Sequence, residues 1–254
     1  MSSGRTEILR TDAVVLRSVE YGETSRIVTL FTRDLGRLGV MARGARSGKS
    51  RFGSTLEPMS WIQTVIHHKP GRELQSLSEA SHMEVFANIG RSLERLALGM
   101  RTIELTSALL QSGQTHPVAL EHQVEALRLI DAASERVANV WPWFAMRLAG
   151  LLGLSPSFTR RDVDRLPGDG GWLRLDSGAL EASRPAGSPG TRAGRTALRA
   201  FAVCTRSPAE VVMRMNLEPA VLGEVNRLVE EFIRYQVEDA FPKRSARVLG
   251  QMGQ

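Results

Sequence analysis

The chain has 254 residues, 42% apolar and 24% charged, enough for one or two folded domains with a real core. Lys+Arg 33 against Asp+Glu 27 leaves a net charge of +6, carried almost wholly by arginine, since lysine stands only at Lys49, Lys69 and Lys243. One cysteine, Cys204, excludes an intramolecular disulfide and a multi-cysteine metal site, and the first residues and the longest apolar runs suit neither a secretion signal nor a membrane span.

From Ile8 to Ala80 the pattern is that of strands. Runs rich in β-branched and aromatic residues fall at Ala13–Val19, Ile27–Thr32, Leu38–Ala42, Trp61–His67 and Glu73–Leu77. Turn-forming segments separate them at Tyr21–Glu23, Arg33–Gly36 and Lys69–Arg72. Ile62, Thr64 and Ile66 alternate with Trp61, Gln63 and Val65, so the two sets take opposite faces. Five short strands in this length predict a small closed barrel, of the oligonucleotide-binding or the SH3-like type.

Between the third and fourth runs, residues 37–51 hold Arg37, Arg43, Arg46, Lys49 and Arg51 and no acid. Gly44, Ser47, Gly48 and Ser50 make this a flexible loop that can lay cations and backbone N–H groups along a phosphate chain. Gly44 to Ser50 superficially suggests a nucleotide-phosphate loop. That motif needs four residues between its first glycine and Gly-Lys-Ser, whereas three separate Gly44 from Gly48, and no helix pattern follows.

After Ser81 the period becomes helical. Phe86, Ile89, Leu93, Leu96, Met100, Ile103 and Ser107 form a stripe that Gly113 can end. Pro117 and Pro142 open two more helices, Ser207-Pro208 a short one and Glu218-Pro219 a last long one. Residues 155–194, rich in Gly, Pro, Asp and Arg, read as an inserted, partly mobile excursion with a hairpin turning at Asp176–Gly178. Arg184, Arg192, Arg195, Arg199 and Arg206 form a second acid-free basic stretch, and Lys243, Arg244 and Arg247 a third. The histidines lack metal-ligand spacing, Cys204 sits in an apolar helical run, and no nucleophile pattern appears, so catalysis is not expected.

The ordered set Ala13–Leu16, Tyr21–Glu23, Ile27–Thr32, Gly36, Ala42–Arg46, Ser50, Leu56–Pro58, Glu73-Leu74, Leu77 and Glu79-Ala80 resembles the bacterial recombination mediator family RecO. The closing run Phe241–Leu249 also looks like that family's ending. The resemblance implies an α+β protein: an oligonucleotide-binding (OB) barrel over residues 1–80, then a helical domain over 81–254 with a zinc-finger-like insertion at 155–194. Here the insertion holds no Cys or His, so it lacks zinc ligands, no cofactor is expected, and its hairpin must be held by packing of residues such as Trp172 and Leu175.

The implied function is binding without chemistry in bacterial cytoplasm, at the nucleoid. Such a protein binds single- and double-stranded DNA and anneals complementary strands. With RecR it helps load the RecA recombinase onto strands coated by single-stranded-DNA-binding protein, whose C-terminal tail it contacts. The expected DNA-binding residues are Arg37, Arg43, Arg46, Lys49 and Arg51, with Phe52 as a base-stacking candidate or else a core residue. A scaffold whose barrel binds protein, and a nucleotide hydrolase using Gly44–Ser50, are the alternatives.

Overall fold

The computed structural model describes residues 5–237, so Lys243, Arg244, Arg247 and the closing Phe241–Leu249 run lie outside the described residues. The chain divides into two compact units between Asp131 and Ala132.

The first unit begins with β1 (Glu7–Tyr21), β2 (Ser25–Thr32), β3 (Gly36–Ala42), β4 (Trp61–His68) and β5 (Leu74–Glu84). Their order is β1-β2-β3-β5-β4, and β4 returns to pair with β1, closing the barrel. All pairings are antiparallel except β3 with β5, where Gly39 faces Leu74 and Met41 faces Ser76. This is the five-stranded barrel of the α+β fold predicted above.

Strand β1 is long because it serves both sides of the barrel. Glu7–Val14 pairs with β4, Ala13–Tyr21 pairs with β2, and a bulge between Val15 and Arg17 bends it. The alternation expected in β4 is present, with Ile62, Thr64 and Ile66 buried and Trp61, Gln63 and Val65 half-buried. Inside sit Ala13, Val15, Val28, Leu30, Val40, Ile62, Ile66 and Leu77. The turn after β2 needs Gly36 in the left-handed region (φ +64), where Thr32 Oγ1 donates to its carbonyl at 2.9 Å.

Two helices complete this unit, α1 (Leu93–Leu109) and α2 (Pro117–Ala132). The predicted stripe on α1 is out of phase. Leu93 is 56% exposed, while Thr102 and Thr106 are fully buried. Gln123 of α2 explains this, donating to Thr102 Oγ1 at 2.9 Å and accepting from Thr106 Oγ1 at 2.6 Å. A paired polar ladder stands in place of the apolar period that the sequence predicts.

The second unit packs α3 (Val140–Leu151), α4 (Arg160–Asp164), α5 (Arg195–Arg206), α6 (Ala209–Met213) and α7 (Pro219–Gln236) with a small sheet. That sheet holds β6 (Gly170–Arg174), β7 (Leu180–Glu181) and β8 (Gly190–Gly194) in the order β7-β6-β8. The hairpin turns where expected, with Gly178 at φ +65, but β8 had no visible signal in sequence. Its buried anchor is Leu173 rather than Trp172 or Leu175, which are half-buried. Arg174 ties the sheet together by binding Asp176 bidentately at 3.0 and 2.7 Å, Glu181 at 3.3 Å and Ser188 at 3.0 Å. Phe201 stacks on Phe158 and meets Phe232 edge-on, joining α5 to α7.

Candidate nucleic-acid interface

Residues 43–60, between β3 and β4, form a succession of turns with no helix. Ser47 N bonds Gly44 O at 3.1 Å, Ser50 N bonds Ser47 O at 2.9 Å, and Thr55 N bonds Phe52 O at 3.0 Å. Gly44–Ser50 therefore lacks the helix start on which a nucleotide-phosphate loop depends. Instead the segment folds as a cap, sending Phe52 and Leu56 into the barrel core and tying its end to the β1 bulge through Met59 N to Val15 O at 2.9 Å.

Phe52 is only 2% exposed, so it is a core residue and offers no ring face to a base. The stacking role is corrected on that ground, because stacking needs an open π-face. Arg51 covers the ring from outside, its guanidinium 5.3 Å from the ring centroid.

The five cations separate into three kinds. Arg43 and Lys49 are exposed and make no ion pair among the described residues, and Arg51 is exposed beyond its ring contact. Arg46 is exposed but tethered, paired with Glu20 at 2.9 Å and donating to the Gly22 and Glu23 carbonyls at 3.1 and 3.3 Å. Arg37 is at the other end of β3, roughly 20 Å along the strand from Arg43. There its Nε donates to Leu110 O at 2.9 Å, and Gly113 N bonds its carbonyl at 2.9 Å. Arg37 thus fastens the barrel to the end of α1 and stands apart from the exposed cluster.

The fold brings a further cation, Arg10, beside this set. Arg10 of β1 stands opposite Val65 of β4, and with Arg51 it borders a groove of about 350 Å³ on the outer face of β1, β4 and β5. The alternation of β1 shows that Arg10 points outward, but only the pairing of β1 with β4 brings it near Arg51.

The second basic stretch is largely consumed within its own unit. Arg195 donates to the Leu166 and Gly168 carbonyls, Arg199 pairs with Asp164 at 2.7 Å, and Arg206 donates to the Pro156 and Phe158 carbonyls. Arg184 lies over the Trp172 ring. Cys204 is fully buried, and that burial pushes its thiol up to about 12.

The insertion does not fit a zinc ion. Residues 155–194 contain no Cys or His, and among the described residues no group of three or more His, Cys, Asp or Glu could hold a metal. Among the same residues no helix is long and apolar enough to cross a membrane.

Two family models cover nearly the whole chain. Recombination protein O N terminal matches residues 6–86, and Recombination protein O C terminal matches residues 90–245. The chain belongs to the RecO family. Among its RecO relatives, the DNA repair protein RecO of Salinibacter ruber is 46% identical, over 96% of this chain and 94% of that protein. The DNA repair protein RecO of Chloroherpeton thalassium is 28% identical over 96% of this chain and 99% of its own length. That of Anaeromyxobacter dehalogenans is 31% identical over 76% of this chain and 89% of its own. The two RecO models part between residues 86 and 90, just after β5 ends at Glu84.

Proposed function

We propose that this RecO-family chain is a DNA-binding recombination mediator in DNA repair, acting by phosphate neutralisation rather than catalysis. The observation that carries the reading is the cap loop. Arg43, Lys49 and Arg51 project from an acid-free segment that the barrel core holds by Phe52 and Leu56. Cations on a supported loop contact successive phosphates with little ordering cost, and each contact releases condensed counterions. Arg10 extends this set along the barrel wall.

Annealing needs no nucleotide hydrolysis, because the product duplex lies below its separated strands in free energy. A protein has only to reduce phosphate repulsion and hold two strands together. The partners supported by the family resemblance are single- and double-stranded DNA, RecR, the C-terminal tail of single-stranded-DNA-binding protein and, through loading, RecA. The site of action is the bacterial cytoplasm at the nucleoid. The barrel, with the loop it carries, is the DNA-contacting part, and the remaining chain serves partner contacts.

An annealing assay with complementary oligonucleotides tests this. The full chain should speed duplex formation without ATP, and the Arg43→Ala/Lys49→Ala/Arg51→Ala variant should lose most of that acceleration. Equal annealing by the two proteins, or a requirement for ATP, contradicts the reading.

A further inference from the structure

We propose that the groove on the outer face of β1, β4 and β5 is a base-reading subsite for one unpaired nucleotide, favouring a base with an exocyclic amine such as cytosine. The inference rests on the DNA-binding reading above and deepens it.

Two cross-strand rows form the groove floor. Arg10, Val65 and Glu79 make one, since Arg10 faces Val65 and Val65 faces Glu79. Gln63 and Ser81, which also face each other, make the next. Neighbouring strands are about 4.8 Å apart, so the floor is roughly 10 Å across from β1 to β5, the width of a nucleotide. The groove volume of about 350 Å³ accommodates one base with its sugar.

The chemistry is arranged as a nucleotide needs it. Val65 supplies apolar surface for a base face, while Ala80, opposite the buried Thr64, turns its methyl to the barrel core. Arg10 on one wall and Arg51 on the cap loop supply positive charge for the flanking phosphates. Asp12, the next outward residue on β1, is engaged by Arg33 at 3.4 Å, which offsets its charge. Glu79 is then the one carboxylate lining the groove, and it has no ion-pair partner among the described residues.

A carboxylate in a phosphate-binding groove opposes affinity unless it receives a donor from the ligand. The exocyclic amine of cytosine is such a donor, whereas thymine presents a carbonyl at the same place. In a duplex the base is stacked between its neighbours and shows this groove only the edge of that amine, so a groove that takes a whole base face reads unpaired bases.

The test measures binding of the full chain to oligo-dC and oligo-dT of equal length, at a pH well above the cytosine pKa, for the natural protein and for Glu79→Gln. The natural protein should prefer oligo-dC by roughly five-fold or more, the lower end of what one good base-edge contact supplies. In Glu79→Gln the preference should collapse, mainly through a gain in oligo-dT affinity, with circular dichroism unchanged. Equal affinity for the two oligonucleotides overturns the subsite. So does a preference that survives Glu79→Gln while both affinities rise together, which would mark Glu79 as a general repulsive charge. In either case, strong salt-dependent binding that remains leaves the DNA-binding reading standing. Loss of all oligonucleotide binding by the natural protein would instead remove both.

Discussion

Arg46 reaches from the loop after β3 to the Glu20 carboxylate near the end of β1, at 2.9 Å. The same guanidinium donates to the Gly22 and Glu23 carbonyls, and Arg46 N bonds Thr24 O at 2.8 Å. The basic loop is thereby pinned across the β1–β2 turn. The pair is exposed, so it adds little to global stability; its effect is to fix where Arg43 and Lys49 stand.

Arg46→Ala should therefore lower DNA affinity a few-fold while leaving the salt dependence of binding nearly unchanged, because Glu20 already neutralises this cation. Trypsin should cut the loosened loop faster. Arg46→Lys should restore little, since an ammonium cannot make the forked contacts to Glu20 and two carbonyls at once. Salt titration combined with timed proteolysis checks this.

Phe52→Ala should act on stability. Truncating a fully buried aromatic ring costs about 3–5 kcal/mol, so the urea midpoint should fall steeply. The DNA salt slope measured below the unfolding transition should change little, because the buried ring meets no phosphate and Arg51, which lies over it, keeps its charge.

These two residues also show what the sequence does and does not reveal. Strand alternation gives the faces of Trp61–Ile66, and Pro117 and Pro219 begin helices as expected, because such signals are local and periodic. The cap loop has no period, so whether Phe52 points in or out depends on turns formed by residues 44–60. Arg37 and Arg43 look alike in a charge count, yet one meets Leu110 O from a distant helix and the other meets no partner among the described residues. The phase of α1 is not legible in sequence because its buried face is partly polar, with Thr102 and Thr106 both bonded to Gln123 of another helix. Arg10 carries no such signal, because its neighbours come from β4 and the cap loop rather than from adjacent sequence.

Gly36→Ala should destabilise the first unit far more than Gly22→Ala. Both glycines have positive φ, at +64 and +59, and a non-glycine residue there costs about 1–3 kcal/mol. A methyl at Gly36 would also collide with the backbone of Gln114, whereas one at Gly22 meets nothing within 4 Å. Chemical denaturation of the two variants, side by side, reads the difference.

The small sheet of the second unit should carry an acid-dependent contribution from Asp176. The bidentate Arg174 contact holds the Asp176 carboxyl well below the usual carboxylate range. A lowered folded pKa gives stability that is present above the ordinary unfolded value of about 4 and is lost as pH falls towards the folded value. Asp176→Asn should thus melt lower than the natural protein at neutral pH, and the gap should narrow as pH drops below about 4. Melting temperatures of both proteins across that range check the sign.

The most direct measurement of the central claim is the salt dependence of binding to labelled single-stranded DNA, compared between the natural chain and the Arg43→Ala/Lys49→Ala/Arg51→Ala variant. Three phosphate contacts at about −0.7 each should make the log–log slope shallower by about 2 in the variant, with affinity reduced for every sequence. An unchanged slope in a variant folded by circular dichroism would contradict the account and move the phosphate contacts away from the cap loop.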